Sequence, residues 1–347
     1  MKQHGFTLLE LMISLAIGLV ISAAAMMLFL TSMKSEALQL GQSALQDEAN
    51  FGLNYIVKDI RLSNLNNVQS SINDATMYGG VVFRSSANVA QKGEDRYANL
   101  PLTIVGDTAA VKLLSRSNGI SVDWNGPSNV EVVDDNTSAS GGALLKSDQL
   151  TIQYVPQYVL DDNKTSVTTD DRWYGGYDCE GNELSFTLEQ GKQIIVQRYF
   201  LREDNSSTDK ESNQPLSLAC DAGYYSQNGT PTKITNFGDS GEIILKRVDH
   251  FRVLYHIQNG DQQRYVDAAT YLNLDNEAKP RILAVQLAAL IRSNAAIDNQ
   301  TSQSKTLNFQ LLDQDVKVKT NKKSAPTYIR QAVSQTVAFR NTFGERG

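Results

Sequence analysis

The chain has 347 residues, with 32 Lys plus Arg against 38 Asp plus Glu, a formal net charge of −6 and 8% aromatic residues. This mildly acidic balance gives no electrostatic footprint for general nucleic-acid binding. A hydrophobic share of 41% with well-spread glycine excludes a chain that is disordered or low-complexity in bulk.

The first predicted element is a helix. A polar leader, residues 1–5, runs into the largely apolar stretch Phe6 to Leu30, whose one charged residue is Glu10. As a helix this stretch would be roughly 37 Å long, enough to cross a hydrocarbon core of about 30 Å. A carboxylate inside hydrocarbon is costly unless paired, so Glu10 calls for a partner. Lys2 and His4 precede the span and Lys34 follows it, a weak bias that keeps the N-terminus cytoplasmic and sends the rest outside. Ala23, Ala24 and Ala25 would also suit signal-peptide cleavage. However, a signal peptide's apolar region is about 7–15 residues long, whereas this one holds an acid and runs on to Leu30.

Gly5-Phe6-Thr7-Leu8-Leu9-Glu10 resembles the processing motif of type IV pilins and pseudopilins. The resemblance implies that a prepilin peptidase in the membrane cuts between Gly5 and Phe6 and that Phe6 is then N-methylated. It also implies that Glu10 serves assembly by meeting the N-terminal amine of a neighbouring subunit. Glycine suits the cut because a residue without a side chain admits close approach to the backbone. The expected fold class is α+β and type IV pilin-like: a long N-terminal helix packed on a large antiparallel β-sheet domain.

The helix is expected to continue. No proline lies between Thr31 and Leu65, and Leu45, Ala49, Leu53, Ile56 and Ile60 repeat on one helical face. Gln46, Asp47, Asn50, Asn54, Lys58 and Arg61 fill much of the remainder, so this half is amphipathic and its stripe is expected to pack on its own domain. Gly41 and Gly52 each cost about 1 kcal/mol against alanine and mark bends or close packing. The expected divisions are a leader at 1–5, a transmembrane half at 6–30, an amphipathic periplasmic half at 31–65 and a β-rich globular domain at 66–347.

Beyond Asn66 the pattern is of short strands. Val81 to Phe83 and Leu102 to Val105 are brief apolar runs, Gln149 to Val155 alternates, and Lys192 to Leu201 and Glu242 to Leu245 are rich in strand formers. In Asp249 to Ile257 an apolar face (Phe251, Val253, Tyr255, Ile257) alternates with a mostly polar one (His250, Arg252, Leu254, His256). The run Ile282 to Ile291 is nearly continuous, as in a central strand buried on both faces. A last strand through Ile329, Val333 and Val337 closes the sheet. Residues 136–142, 161–171 and 205–213 read as loops.

Ser147-Asp148-Gln149-Leu150, the run from Arg281 to Ser293 and Phe339-Arg340-Asn341 resemble the PilW family of large minor pilins, and with it the pilin-like competence factors of transformable bacteria. Cys179 and Cys220 are expected to pair, because an exported domain meets an oxidising compartment and neither has CxxC spacing. Closing a loop of about 40 residues would stabilise by roughly 4 kcal/mol. Their surroundings also resemble the PilW pattern.

Catalytic constellations are not apparent: there is no Walker A loop, nucleophile elbow or HExxH. No cofactor and no metal site is expected. His250 and His256 read as solvated strand residues that lack a third ligand. Asp134-Asp135-Asn136 and Asp161-Asp162-Asn163 read as polar loops rather than calcium ligands. Lys317, Lys319, Lys322 and Lys323 could touch DNA but are better explained as edge-strand protection. The resemblance therefore implies a non-enzymatic minor pilin that helps prime and assemble a type IV pilus. Its expected partners are the prepilin peptidase, other minor pilins, the major pilin, the inner-membrane assembly platform and membrane lipid. It would stand in the inner membrane with a periplasmic domain before entering the pilus. A J-type pseudopilin of type II secretion and a pilin-anchored DNA or adhesion receptor are the alternatives.

Overall fold

Thr7 starts the long helix because its side chain takes up an N–H that a first turn leaves unpaired. In the computed structural model the described residues are 7–85, 98–101, 104, 112–120, 124–133, 145–161, 171–205, 211, 213–274, 279–297, 307–319 and 327–342. Helix α1 (Leu8–Ile60) is 53 residues long, about 80 Å at 1.5 Å per residue. It stops at Ile60, short of the expected Leu65. Leu62, Ser63 and Leu65 donate to carbonyls three residues back, and Asn64 and Asn66 take left-handed φ values of 63° and 56°. Asparagine tolerates that conformation better than most residues.

The strands are β1 (Val130–Val132), β2 (Leu150–Tyr154), β3 (Val159–Asp161), β4 (Arg172–Tyr177), β5 (Glu183–Thr187), β6 (Gln193–Glu203) and β7 (Leu216–Ser226). They continue with β8 (Glu242–Lys246), β9 (Val248–Asn259), β10 (Gln262–Val266), β11 (Arg281–Ile297), β12 (Asn308–Leu311), β13 (Gln314–Val318) and β14 (Thr327–Ala338). A short helix, α2 (Ala268–Leu272), follows β10. All the pairings are antiparallel, and the sheets run β10-β9-β11-β14, β2-β6-β7-β8, β1-β13-β12 and β3-β4-β5. The molecule is thus α+β, a long apolar helix packed on antiparallel sheets.

One core joins the first two sheets to the lower half of α1. Phe251, Val253, Tyr255 and Ile257 of β9 share it with Leu287, Ala289 and Ile291 of β11, Leu218 of β7 and Leu150 of β2. The opposite face of β11 is also covered, because Ala288 and Leu290 pack with Val130, Leu311, Val316 and Val318 of the β1-β13-β12 sheet. A strand lying between β9 and β14 and covered on both faces needs the near-continuous apolar run that this segment has.

Several elements differ from the sequence pattern. β2 is buried on both faces despite its alternation, because Thr151 and Gln153 find partners inside: the Thr151 hydroxyl donates to Leu113 O at 2.6 Å and Gln153 Nε2 to Gly79 O at 2.8 Å. Val81 to Phe83 forms only an isolated bridge to Ile152, although Val82 N donates to Thr151 O. Of Leu102 to Val105 only Ile104 is described, and residues 134–144, 162–170 and 206–210 lie outside the described residues. β4 and β7 have no clear apolar signal, since glycines interrupt both. At Gly223 a Cβ would come within 2.5 Å of Thr235 O, so the neighbouring chain requires glycine there.

Candidate functional site

The N-terminal half of α1 stands clear of the rest. Leu8, Leu15, Val20, Met27, Leu28 and Phe29 are all more than 60% exposed, and an 18-residue window reaches a mean hydropathy of 2.5. So much apolar surface needs lipid or other helices around it. At its start Thr7 and Glu10 form a capping box: Glu10 N donates to Thr7 Oγ1 at 3.3 Å, and Glu10 Oε2 accepts from Thr7 N at 3.0 Å. Both Thr7 donors converge on that one carboxylate oxygen, since the Thr7 hydroxyl also lies 3.0 Å from it. Gly5 and Phe6, where processing is expected, lie outside the described residues.

Lower down, the expected stripe is the buried one. Leu45, Ala49, Leu53, Ile56 and Ile60 are at most 2% exposed, whereas Gln46, Asp47, Asn50, Asn54, Lys58 and Arg61 face solvent. Gly52 marks close packing, because a Cβ there would stand 3.1 Å from the Cβ of Leu245 on β8. Gly41 meets only ordinary contact, 3.5 Å from Ile329. Periodicity did not reveal Asp59, which is buried beside the stripe. Its Oδ2 accepts a 2.8 Å hydrogen bond from the Tyr199 hydroxyl, and burial pushes its carboxyl up to about 6 despite that bond.

Cys179 and Cys220 are joined by a disulfide, with Cα atoms 6.2 Å apart. The bond ties the loop after β4 to β7 beneath α1, and the Tyr55 hydroxyl donates to Cys179 O at 3.0 Å. The helix end has a further anchor in Asn341. Its amide donates to Arg61 O at 3.1 Å and Ser63 O at 3.0 Å, and its carbonyl accepts from Asn64 Nδ2 at 2.9 Å.

His250, read as a solvated strand residue, is instead covered by Ser128, Ser147 and Gln314. His250 is fully buried: Nδ1 lies 2.9 Å from Ser128 Oγ and 3.2 Å from Ser147 Oγ, and Nε2 lies 3.2 Å from Gln314 Oε1. Burial pushes its pKa down to about 4, so it stays neutral. His256 is half-buried and stacks on Tyr265 with ring centroids 4.7 Å apart. Neighbouring Arg252 pairs with Asp148, Asp267 and Asp313 at 3.1, 3.3 and 2.7 Å. Asp249 takes Arg292 at 2.9 Å and Arg330 at 2.7 Å. Asp148, Arg292 and Asn341 lie in the segments that carry the PilW resemblance, and all three are held in buried or partly buried bonds.

Other candidates are less organised. Lys317 is exposed on β13 and Lys319 is exposed just beyond it, while Lys322 and Lys323 lie outside the described residues. So do Asp134, Asp135, Asn136, Asp162 and Asn163, and Asp161 is exposed on β3. Folding gathers Glu180, Asp221 and Asp239 so that their ligand atoms lie within 4.8 Å of one another. Their wide spacing concealed this cluster in the sequence. Asp221 is already engaged by Arg198 at 2.7 Å and by Gly238 N, and burial with the neighbouring acids pushes Glu180 up to about 7.

Comparison with known families bears on both ends of this arrangement. Residues 1–26 match the prokaryotic N-terminal methylation motif, and residues 199–341 match the family Type IV Pilus-assembly protein W, PilW. Residues 199–341 thus resemble the PilW family, behind a methylation motif. The PilW match opens at Tyr199, which holds Asp59, and closes at Asn341, whose amide holds Arg61 O and Ser63 O just beyond α1. The PilW segment therefore supplies two polar anchors for the helix. No curated protein matches the chain. Among solved structures, a type IV-like pilin from Thermus thermophilus is similar over 63% of this chain and 85% of its own, at 13% identity and a TM-score of 0.22.

Proposed function

We propose that the chain is a minor pilin that takes part in priming and assembling a type IV pilus as part of a tip complex. The observation that carries this reading is the bare apolar half of α1 behind a methylation motif, on a chain whose residues 199–341 match the PilW family. In this reading a prepilin peptidase cleaves between Gly5 and Phe6, Phe6 is N-methylated, and residues 6–30 hold the chain in the inner membrane. Residues 31–65 and the domain at 66–347 then face the periplasm until the subunit enters the filament.

Glu10 has a double role in this scheme. Within one chain its carboxylate closes the capping box with Thr7. In the filament it meets the Phe6 amine of a neighbour, an opposite charge that favours the ionised form among apolar helices. Other minor pilins, the major pilin and the assembly platform are the partners. The chain's own residues perform no chemistry here; the peptidase does.

Mass spectrometry of the mature protein tests the processing, with N-methylated Phe6 as the expected terminus. A start near Met26 overturns it. Piliation of a strain lacking the subunit tests the role: few pili are expected, while normal pili with impaired DNA uptake would indicate a receptor instead.

A further inference from the structure

The end of α1 gathers three exposed cations, of which Lys58 also feels neighbouring Asp59. Lys58 and Arg61 are exposed in its last turn and at its cap, and Arg340 is exposed between buried Phe339 and the anchoring Asn341. None of the three lies within salt-bridge distance of a carboxylate among the described residues. They line one groove of about 480 Å³, to which Gln157 and Asn54 add neutral amides and no acid contributes. Favourable interaction with the helix dipole accounts for Lys58 and Arg61. It does not account for Arg340, which comes from the far end of the chain and is brought here by the bonds of Asn341.

Leu65 forms a wall of this groove and also of a second, mainly apolar pocket of about 200 Å³ beside Met77, Tyr78 and Ile194. Val68, at its rim, is 95% exposed. Exposed Phe51 and Tyr55 share a helix face with Lys58 at i, i+4 and i+7, so the outward side of α1 leads into the groove. Lipid headgroups are out of reach: Lys58 lies 28 helical steps beyond Leu30, about 42 Å at 1.5 Å per residue. Duplex DNA needs cations spread along a backbone, whereas these converge on one depression with an apolar neighbour.

The geometry points to a docking site for an acidic peptide segment of a neighbouring pilus subunit, with a carboxylate among Lys58, Arg61 and Arg340 and an apolar side chain in the pocket beyond Leu65. This rests on the reading that the chain enters a pilus, and two measurements separate the two ideas. In cells whose native copy is replaced, the full chain with K58E/R61E/R340E is expected to keep its membrane level and its disulfide but to fall at least tenfold in sheared pili. K58R/R61K/R340K is expected to match wild type. Entry of the charge-reversed chain into pili at the wild-type level overturns the site, whereas absence of wild type itself from pili would count against the pilus reading.

The second measurement is independent of pili. The detergent-purified full chain is titrated with a fluorescent decapeptide of alternating Glu and Leu pairs and, separately, with a ten-nucleotide oligothymidylate. Peptide binding that weakens at least fivefold on charge reversal supports the site. Equal peptide binding by both proteins, no peptide binding, or binding of the oligonucleotide alone overturns it.

Discussion

The Tyr199 hydroxyl stands 2.8 Å from Asp59 Oδ2, joining the β6 strand to the buried side of α1 near the helix end. Burial raises this carboxyl from its ordinary 3.8 to about 6. A group with a raised folded pKa holds its proton better in the folded than in the unfolded state. Its ionisation therefore reduces stability as pH rises from about 4 to about 6 and has no further effect above that. Asp59→Asn keeps an acceptor for Tyr199 and removes the titration. Relative to wild type it should gain about 1–3 kcal/mol between pH 4 and pH 7, as read from guanidinium unfolding of the full chain in detergent. Parallel stability curves would show that Asp59 does not titrate in this range.

Gly52 faces Leu245 so closely that a Cβ would sit 3.1–3.2 Å from three of its carbons. Leu245 is buried, so its Cβ moves only with the backbone of β8. Gly52→Ala gains about 1 kcal/mol of helix propensity but overpacks by about 1–3 kcal/mol, so the net expectation is a loss of about 1 kcal/mol. Leu245→Ala should make Gly52→Ala less harmful. The double-mutant cycle is expected to show at least about 1 kcal/mol of coupling, and strict additivity would mean that the two residues do not press on each other.

The disulfide holds the loop after β4 under Tyr55. Replacing Cys179 and Cys220 by serine is expected to cost about 3–4 kcal/mol and to free the loop between β4 and β5 from β7. Limited proteolysis should then cut first near Asp178 to Asn182. Without reducing agent, wild-type protein should resist thiol alkylation; two reactive thiols would contradict the bond.

Much of this arrangement was legible in the chain. The stripe from Leu45 to Ile60 and the run from Ile282 to Ile291 were readable because one helix face and one doubly covered strand each impose their own apolar period. His250 was misread for a physical reason. An alternating strand signals one polar face, but it cannot signal that distant segments cover that face, here Ser128, Ser147, and Asp313 and Gln314 where β12 turns into β13. Asp59 was missed in the same way, since its partner Tyr199 lies 140 positions away. The cations of the groove were hidden because Arg340 meets Lys58 and Arg61 only after the last strand returns to the helix end.

Asn341 satisfies Arg61 O and Ser63 O where α1 gives way to turns. Removing its amide leaves those carbonyls without that donor, and each lost bond costs about 0.5–1.5 kcal/mol net. Asn341→Ala is therefore expected to lower stability by about 1–3 kcal/mol and to speed hydrogen exchange from Asp59 to Leu65 more than in β9. Uniform loss of protection across both would mean that Asn341 acts on the whole domain rather than on the helix end.

Glu10 closes the capping box with Thr7, and in the proposed filament it would also carry a charge into an apolar bundle. Two substitutions divide these roles. Glu10→Gln keeps a capping-box residue at N3 and removes only the charge, while Glu10→Val removes both. Neither alters Gly5 or Phe6, so cleavage should proceed in both, as mass spectrometry of the mature terminus would show. If the charge pairs with a neighbour's amine, both variants should be depleted from sheared pili about equally, by tenfold or more, with membrane levels unchanged. If Glu10 serves only the helix start, Glu10→Gln should enter pili as wild type does and Glu10→Val alone should fail, which would remove the intersubunit ion pair from the mechanism.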